Sequence, residues 1–248
     1  MTSSRWDRRI QRAEELADAC PAASEILRFY SAIARVQKTV YEGLKASRQQ
    51  LAAASALLPH VPPLLSLVKR IGPAPLARMA DELDRDPGGW PDLLADQDLP
   101  AEKEFFARTL LQPHFEYQAG QRDIALGSMQ STCPFCGEKP VAGVLRGEGE
   151  GGKRSLICSL CATEWDFRRL LCPYCGEESE TRLPVYTAGQ FPHVRVEACD
   201  SCQTYIKSVD LTKNGLAVPI IDELATVSLN LWAEEHGYTK LQRNLLGM

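Results

Sequence analysis

Only four histidines occur in this 248-residue chain, and the formal net charge is a modest -4. With so little imidazole, no Ser-His-Asp or Cys-His catalytic arrangement can be assembled from the sequence. The small negative charge gives no general attraction to nucleic acid or to an anionic membrane. Long apolar runs are also missing. No stretch approaches the roughly 18 consecutive apolar residues that cross a bilayer, because Pro62, Pro63 and Lys69 break the longest candidates. The N-terminal segment MTSSRWDRRIQRAEEL carries Arg8 and Arg9 in tandem, but the residues after them are charged and helical, not an apolar run of about 7 to 15 residues. No secretory leader is read, no stable membrane insertion is expected, and the expected location is the cytoplasm.

From Trp6 to about Gln130 the pattern is helical. Within Ala22 to Leu44, the residues Ile26, Phe29, Tyr30, Ile33, Val36, Val40 and Leu44 form one apolar stripe, with Arg28, Arg35 and Lys38 largely off it. Pro62 and Pro63 are read as the end of that region, followed by a short helix from Leu64 to Ile71 stopped at Gly72 and another from Pro75 toward Leu83. Asp86-Pro87-Gly88-Gly89 is a turn. A further helix opens near Pro100 with Phe105, Phe106, Leu110 and Leu111 turned inward, and Pro113 is expected to kink or interrupt it. His60 and His114 are read as surface or hydrogen-bonded imidazoles and the aromatics as core. At the other end, Ile220, Leu224, Val227, Leu231 and Trp232 predict one amphipathic helix over Ile220 to His236, with Gly237 past its end, whose stripe docks on the N-terminal helices or on a partner, the first being favoured.

What the chain does have is cysteine, nine in all. Without a secretory segment a disulfide framework is not expected, since the cytosol keeps thiols reduced. Cys20 stands alone and reads as a small buried apolar residue. The other eight form four CxxC pairs within an internal repeat: Cys133-Pro-Phe-Cys136-Gly137-Glu138 returns 39 residues later as Cys172-Pro-Tyr-Cys175-Gly176-Glu177. Each copy is followed by a second pair, Cys158-Ser-Leu-Cys161 and Cys199-Asp-Ser-Cys202.

A CxxC turn aims two sulfurs at one ion, and the glycine after it permits the left-handed backbone that points amides at those sulfurs. The 21 residues between Cys136 and Cys158 and the 23 between Cys175 and Cys199 are near the spacing of zinc ribbons and rubredoxin knuckles, whereas only 10 separate Cys161 from Cys172. This assigns Cys133, Cys136, Cys158 and Cys161 to one metal site and Cys172, Cys175, Cys199 and Cys202 to a second. An interleaved cross-brace is the alternative, disfavoured because each copy already contains a full ligand set. Four thiolates leave no coordination position for water or substrate, so a structural or electron-transfer role is expected and an enzyme is not. Spacing does not separate zinc from iron.

Two near misses are set aside. Gly147 to Lys153 fits GxxxxGK, but Arg154 stands where a Ser or Thr would hold magnesium, and Glu148 and Glu150 would repel phosphate. It reads as a hairpin tip. His193, alone among the histidines in the cysteine region, reads as a hairpin residue and not a ligand. Between Cys133 and Tyr205 ten acidic side chains face eight basic ones, so the basic face of a nucleic-acid-binding ribbon is missing.

Beyond the CxxC pairs, the strings Cys161-Ala-Thr-Glu-Trp165, Glu197-Ala-Cys199-Asp-Ser-Cys202-Gln-Thr-Tyr205-Ile-Lys207 and Asp222-Glu-Leu-Ala-Thr-Val are more specific. With them the chain resembles the FdhE family of formate dehydrogenase accessory proteins, most strongly from Cys133 to Tyr238. The resemblance implies a cytoplasmic maturation factor that contacts the catalytic subunit of respiratory formate dehydrogenase, with the eight cysteines above holding two ions and iron favoured over zinc.

The expected fold is therefore α+β: a helical domain over residues 1–130, rubredoxin-like (zinc-ribbon-like) modules over 131–168 and 169–218, and a C-terminal helix and tail over 219–248. A homo-oligomer is allowed. The competing functions are a rubredoxin-type redox carrier, which requires iron, and a ribbon that binds nucleic acid, which requires salt-dependent binding.

Overall fold

Helix formation begins at Ser4, whose hydroxyl accepts from the Asp7 N–H while the Asp7 carboxylate accepts from the Ser4 N–H, a reciprocal box that satisfies the first turn. In the computed structural model, which describes residues 4–47, 56–96, 98–122, 129–148 and 151–248, this opens α1 (Arg5–Ala19). There follow α2 (Ser24–Ser47), α3 (Val61–Ile71), α4 (Ala74–Arg85), α5 (Trp90–Ala95) and α6 (Ala101–Ala119). The stripe read in the sequence is the buried face of α2: Phe29, Ile33 and Val40 pack with Phe105, Phe106 and Leu110 of α6 and Leu64 of α3. Cys20 lies just past α1 as its cap, half-buried against the α1 and α2 core.

The prolines behave differently from expectation. Pro62 and Pro63 sit in the first turn of α3, where the N–H groups lack helical partners anyway, so they open a helix and do not close a region. Pro113 lies inside α6 without ending it. A proline leaves the carbonyl four residues earlier unpaired, and here that carbonyl, Thr109 O, accepts instead from Gln37 Nε2 of α2 at 3.1 Å.

The cysteine region folds into strands β1 (Pro140–Glu148), β2 (Gly151–Cys158), β3 (Glu164–Asp166), β4 (Val185–Thr187), β5 (Val194–Cys199) and β6 (Thr204–Asp210). They form one sheet in the order β3-β2-β1-β6-β5-β4, with β7 (Thr239–Lys240) added beside β6. The tip of the β1–β2 hairpin, residues 149–150, lies outside the described residues, and with it part of the GxxxxGK near miss.

Within each repeat the strands are antiparallel neighbours, and the repeats join head to tail: β1 of the first pairs in parallel with β6 of the second, Gly143 opposite Ser208 and Leu145 opposite Asp210. A Cβ on Gly143 would collide with Ser208 Oγ and press on Ser208 Cβ, so any larger residue there would have to push Ser208 aside at the seam.

The C-terminal run divides into α7 (Pro219–Ala225) and α8 (Val227–Glu235). The break at Thr226 has a cause. Lys207 of β6, fully buried, aims Nζ at Glu223 O (2.5 Å) and Thr226 O (3.1 Å), so a side chain takes carbonyls that a continuing helix would have used. Leu231, expected in the stripe, is exposed. Docking on the N-terminal helices belongs to α7, whose Ile221, Leu224 and Ala225 share a core with Ala13, Leu27 and Ala34.

Candidate metal centres

Four local turns build the two clusters, two turns to each. Cys133 and Cys136 lie in the turn before β1, while Cys158 ends β2 and Cys161 follows it; Cys172 and Cys175 precede β4, while Cys199 ends β5 and Cys202 follows it. In the first turn of each repeat the glycine carries the positive φ anticipated for it, +80° at Gly137 and +78° at Gly176. Its N–H donates to the carbonyl of the leading cysteine, Cys133 at 3.0 Å and Cys172 at 3.1 Å. In the second turn the same left-handed position is held by Ala162 (φ +51°) and Gln203 (φ +57°), the two non-glycine residues with positive φ among those described. A strained backbone at both equivalent positions indicates that the knuckle geometry outweighs the residue's preference.

The four sulfurs of each set converge to within 4.8 Å of one another. In the first, Cys133 Sγ is 3.5 Å from Cys161 Sγ and Cys136 Sγ is 3.3 Å from Cys158 Sγ. In the second, both Cys172–Cys202 and Cys175–Cys199 measure 3.7 Å. A tetrahedron with metal–sulfur bonds of about 2.3 Å has edges of roughly 3.8 Å, so the donor sets fit, and each cluster could hold one metal ion.

Amides support the sulfurs: Phe135 N–H points at Cys133 Sγ, Leu160 and Cys161 N–H at Cys158 Sγ, and Tyr174 N–H at Cys172 Sγ, all at 3.3 to 3.4 Å. Packed this closely, the sulfurs resist sharing negative charge. Contact with the neighbouring Cys133 and Cys136 sulfurs pushes the Cys158 thiol far up while Cys133 is driven down, and burial pushes Cys199 up to about 12. A divalent cation at the centre would remove that conflict and allow all four to ionise.

The clusters differ in surroundings. The first lies under α6, where Arg108 Nη2 donates to Ser159 Oγ and Gln112 Nε2 to Ser159 O, and it is buried except for the half-exposed Cys136. The second lies at the surface with Cys175 exposed. Two contacts escaped the sequence reading. The Thr163 hydroxyl lies 3.1 Å from Cys161 Sγ and the Thr204 hydroxyl 2.9 Å from Cys202 Sγ. The signal was present, since threonine follows by two residues the last cysteine of each repeat.

The remaining candidates lie elsewhere. His193 Nε2 is 2.8 Å from the buried Asp222 and holds a loop, not a metal. His114 is buried on α6 against Gln118, and burial lowers its pKa as it does that of His60. Arg154, the misfit of the phosphate-loop pattern, is a buried residue of β2 paired with Glu197 of β5 at 2.6 Å.

Two family models match consecutive stretches: the FdhE central domain over residues 132–169 and the FdhE C-terminal domain over residues 170–246. Over residues 132–246 the chain matches the FdhE family. The FdhE homologue of Aquifex aeolicus (strain VF5) is 40% identical over 116 residues, 46% of this chain and 41% of that protein. The FdhE homologue of Stutzerimonas stutzeri (strain A1501) is 34% identical over 134 residues, 54% of this chain and 44% of that one. The matched part thus spans less than half the length of these curated FdhE relatives. The crystal structure of the FdhE protein from Pseudomonas aeruginosa matches with a TM-score of 0.72 at 27% identity, covering 98% of this chain and 96% of that one. The likeness to a solved FdhE therefore extends through the helical half, and with it the α+β architecture. No helix among the described residues is long and apolar enough to cross a membrane.

Proposed function

We propose that the chain is an accessory factor for formate dehydrogenase that binds the enzyme's catalytic subunit in the cytoplasm during assembly and performs no catalysis of its own. The observation that carries this reading is the match to both FdhE domains across the whole cysteine region and the C-terminal helices. The chemistry of the clusters is consistent with it. Four protein sulfurs would occupy every position of a tetrahedral ion, so a bound metal would cross-link the turns and, if iron, also store one electron. The eight ligands are Cys133, Cys136, Cys158 and Cys161 in the first site and Cys172, Cys175, Cys199 and Cys202 in the second, with one ion each and iron favoured over zinc.

The test is co-purification with the catalytic subunit, together with formate dehydrogenase activity in a strain lacking this chain. Association with the subunit and lost activity are expected. Normal activity with no association would sink the reading. A redox carrier is the second reading, favoured by the exposure of Cys175 at the rim of the second cluster. A colourless, zinc-filled protein after anaerobic purification would rule it out.

A further inference from the structure

The head-to-tail joining of the repeats leaves their ends unequal. In the first repeat the outer edge of β1 is covered by β6, with Leu211 N–H donating to Leu145 O at 2.9 Å beyond the last paired residues. The equivalent strand of the second repeat is β4: Gly143 and Leu145 oppose Leu156 and Arg154 on β2, as Val185 and Thr187 oppose Glu197 and Arg195 on β5. Yet β4 is the last strand of the sheet and nothing among the described residues pairs with its outer side.

The hydrogen-bond phase can be read from the bonds just before it. Ala198 N–H donates to Pro184 O and Asp200 N–H to Arg182 O, so even-numbered residues face β5. The peptide groups of Val185 and Thr187 therefore point outward, as those of Leu145 do toward β6. A bare strand edge is a template for pairing.

Beside this edge lies a cavity of about 420 Å³. Leu183 and Val185 line it on the β4 side and Leu170 at the rim, while Arg154, Arg195 and Glu197 line it from the sheet. The guanidiniums of Arg154 and Arg195 flank the Glu197 carboxylate, Arg169 and Glu180 line the same cavity with opposite charges, and these arginines and glutamates together leave one positive charge; Arg154 Nε is buried without a partner. Two of the seven exposed large apolar side chains of the described structure, Leu170 and Val185, line this cavity next to Cys172 and Cys199 of the second cysteine set.

We propose that the outer edge of β4 is a docking site for an extended segment of a partner protein, which adds in parallel as β6 does to β1. It places an apolar side chain toward the cavity and a carboxylate two residues later toward Arg195, a spacing that keeps both on one face of a strand. The inference rests on the client-binding reading only for which protein supplies the strand.

The probe is a display library of random nine-residue peptides selected on the full-length, metal-loaded chain. The expected outcome is a shared apolar-any-acidic pattern, slowed amide exchange at Val185 and Thr187, and binding about tenfold weaker for Val185→Pro, the equivalent of one backbone hydrogen bond. Proline at 185 removes only an outward N–H and so leaves the β4–β5 ladder intact; Leu170→Asp, at the exposed rim, is the second variant. Peptides indifferent to both variants, protection at another edge, or self-association through β3 of a second copy would overturn the proposal. Co-purification of the catalytic subunit is assayed on the same variants. Association that survives both would remove the β4 edge while leaving the assembly role standing; peptide binding at β4 without any association would do the reverse.

Discussion

Lys207 and Glu223 are both fully buried and 3.0 Å apart, and Lys240 reaches the same carboxylate. Burial alone would raise the Glu223 pKa, but the two ammonium groups pull it down from the ordinary 4.5 to about 2. A depressed carboxylate contributes stability that is present above pH 4.5 and lost as pH falls from there toward 2. Denaturation midpoints should therefore drop across that window in the native chain and drop less in Glu223→Gln. At neutral pH the same substitution strands two buried cations, and about 3 to 5 kcal/mol of stability should be lost in urea unfolding. A loss under about 1 kcal/mol would show that the cations find water instead. Neither residue could be assigned this role from sequence. Both lie in strings that carry the family resemblance, but which side chain meets which depends on β6 and α7 packing face to face.

At the scale of the element, what was legible depended on how local the cause was. The cysteine turns were legible because four residues and a following glycine determine them. Of the two outcomes expected at Pro113, a kink or an interruption, the second does not occur, because compensation comes from Gln37, on another helix. Gln37→Leu should leave Thr109 O without its partner in a buried setting and cost about 1 to 3 kcal/mol. Pro113→Ala supplies a helical N–H to that same carbonyl, so it should restore most of the loss in the double variant, measured as a coupling energy in a double-mutant cycle. Equal losses with and without Pro113 would break the explanation. The split of the C-terminal run was equally hidden, since the lysine that takes the Glu223 and Thr226 carbonyls belongs to a strand. The β1–β6 seam depends on a parallel pairing that no hairpin announces; Gly143→Ala should force Ser208 aside and loosen it, read as faster amide exchange at Val209 and Leu211, whose N–H groups face β1, than in the native chain.

Over the whole molecule, the helical half is tied to the C-terminal part by shared packing and by an ion pair that crosses between them. Arg12 of α1 donates to both carboxylate oxygens of the buried Asp222, which also accepts from Val218 N–H and meets His193; α1 and α6 are joined by the buried Arg9–Glu116 pair. The linear reading, which divided the chain by composition, could not see this coupling, because charged residues of a helical face look the same whether they meet solvent or a distant carboxylate. Metal removal should respond to the coupling. Structural ions of this type contribute on the order of 10 kcal/mol each to folding, and the two clusters differ in access, one roofed by α6 and the other with Cys175 at the surface. A chelator should therefore strip one ion per chain quickly, with alkylation appearing first at Cys172, Cys175, Cys199 and Cys202. The second ion should leave slowly, and with it the protection of Leu156 and Trp165, which pack around the first cluster. Mass spectrometry of alkylated peptides against time, alongside metal analysis, reads the order directly. Simultaneous loss from both sites would mean that the shared sheet makes them one cooperative unit, and first loss from the α6-covered site would mean that burial under the helix does not control access to the ion.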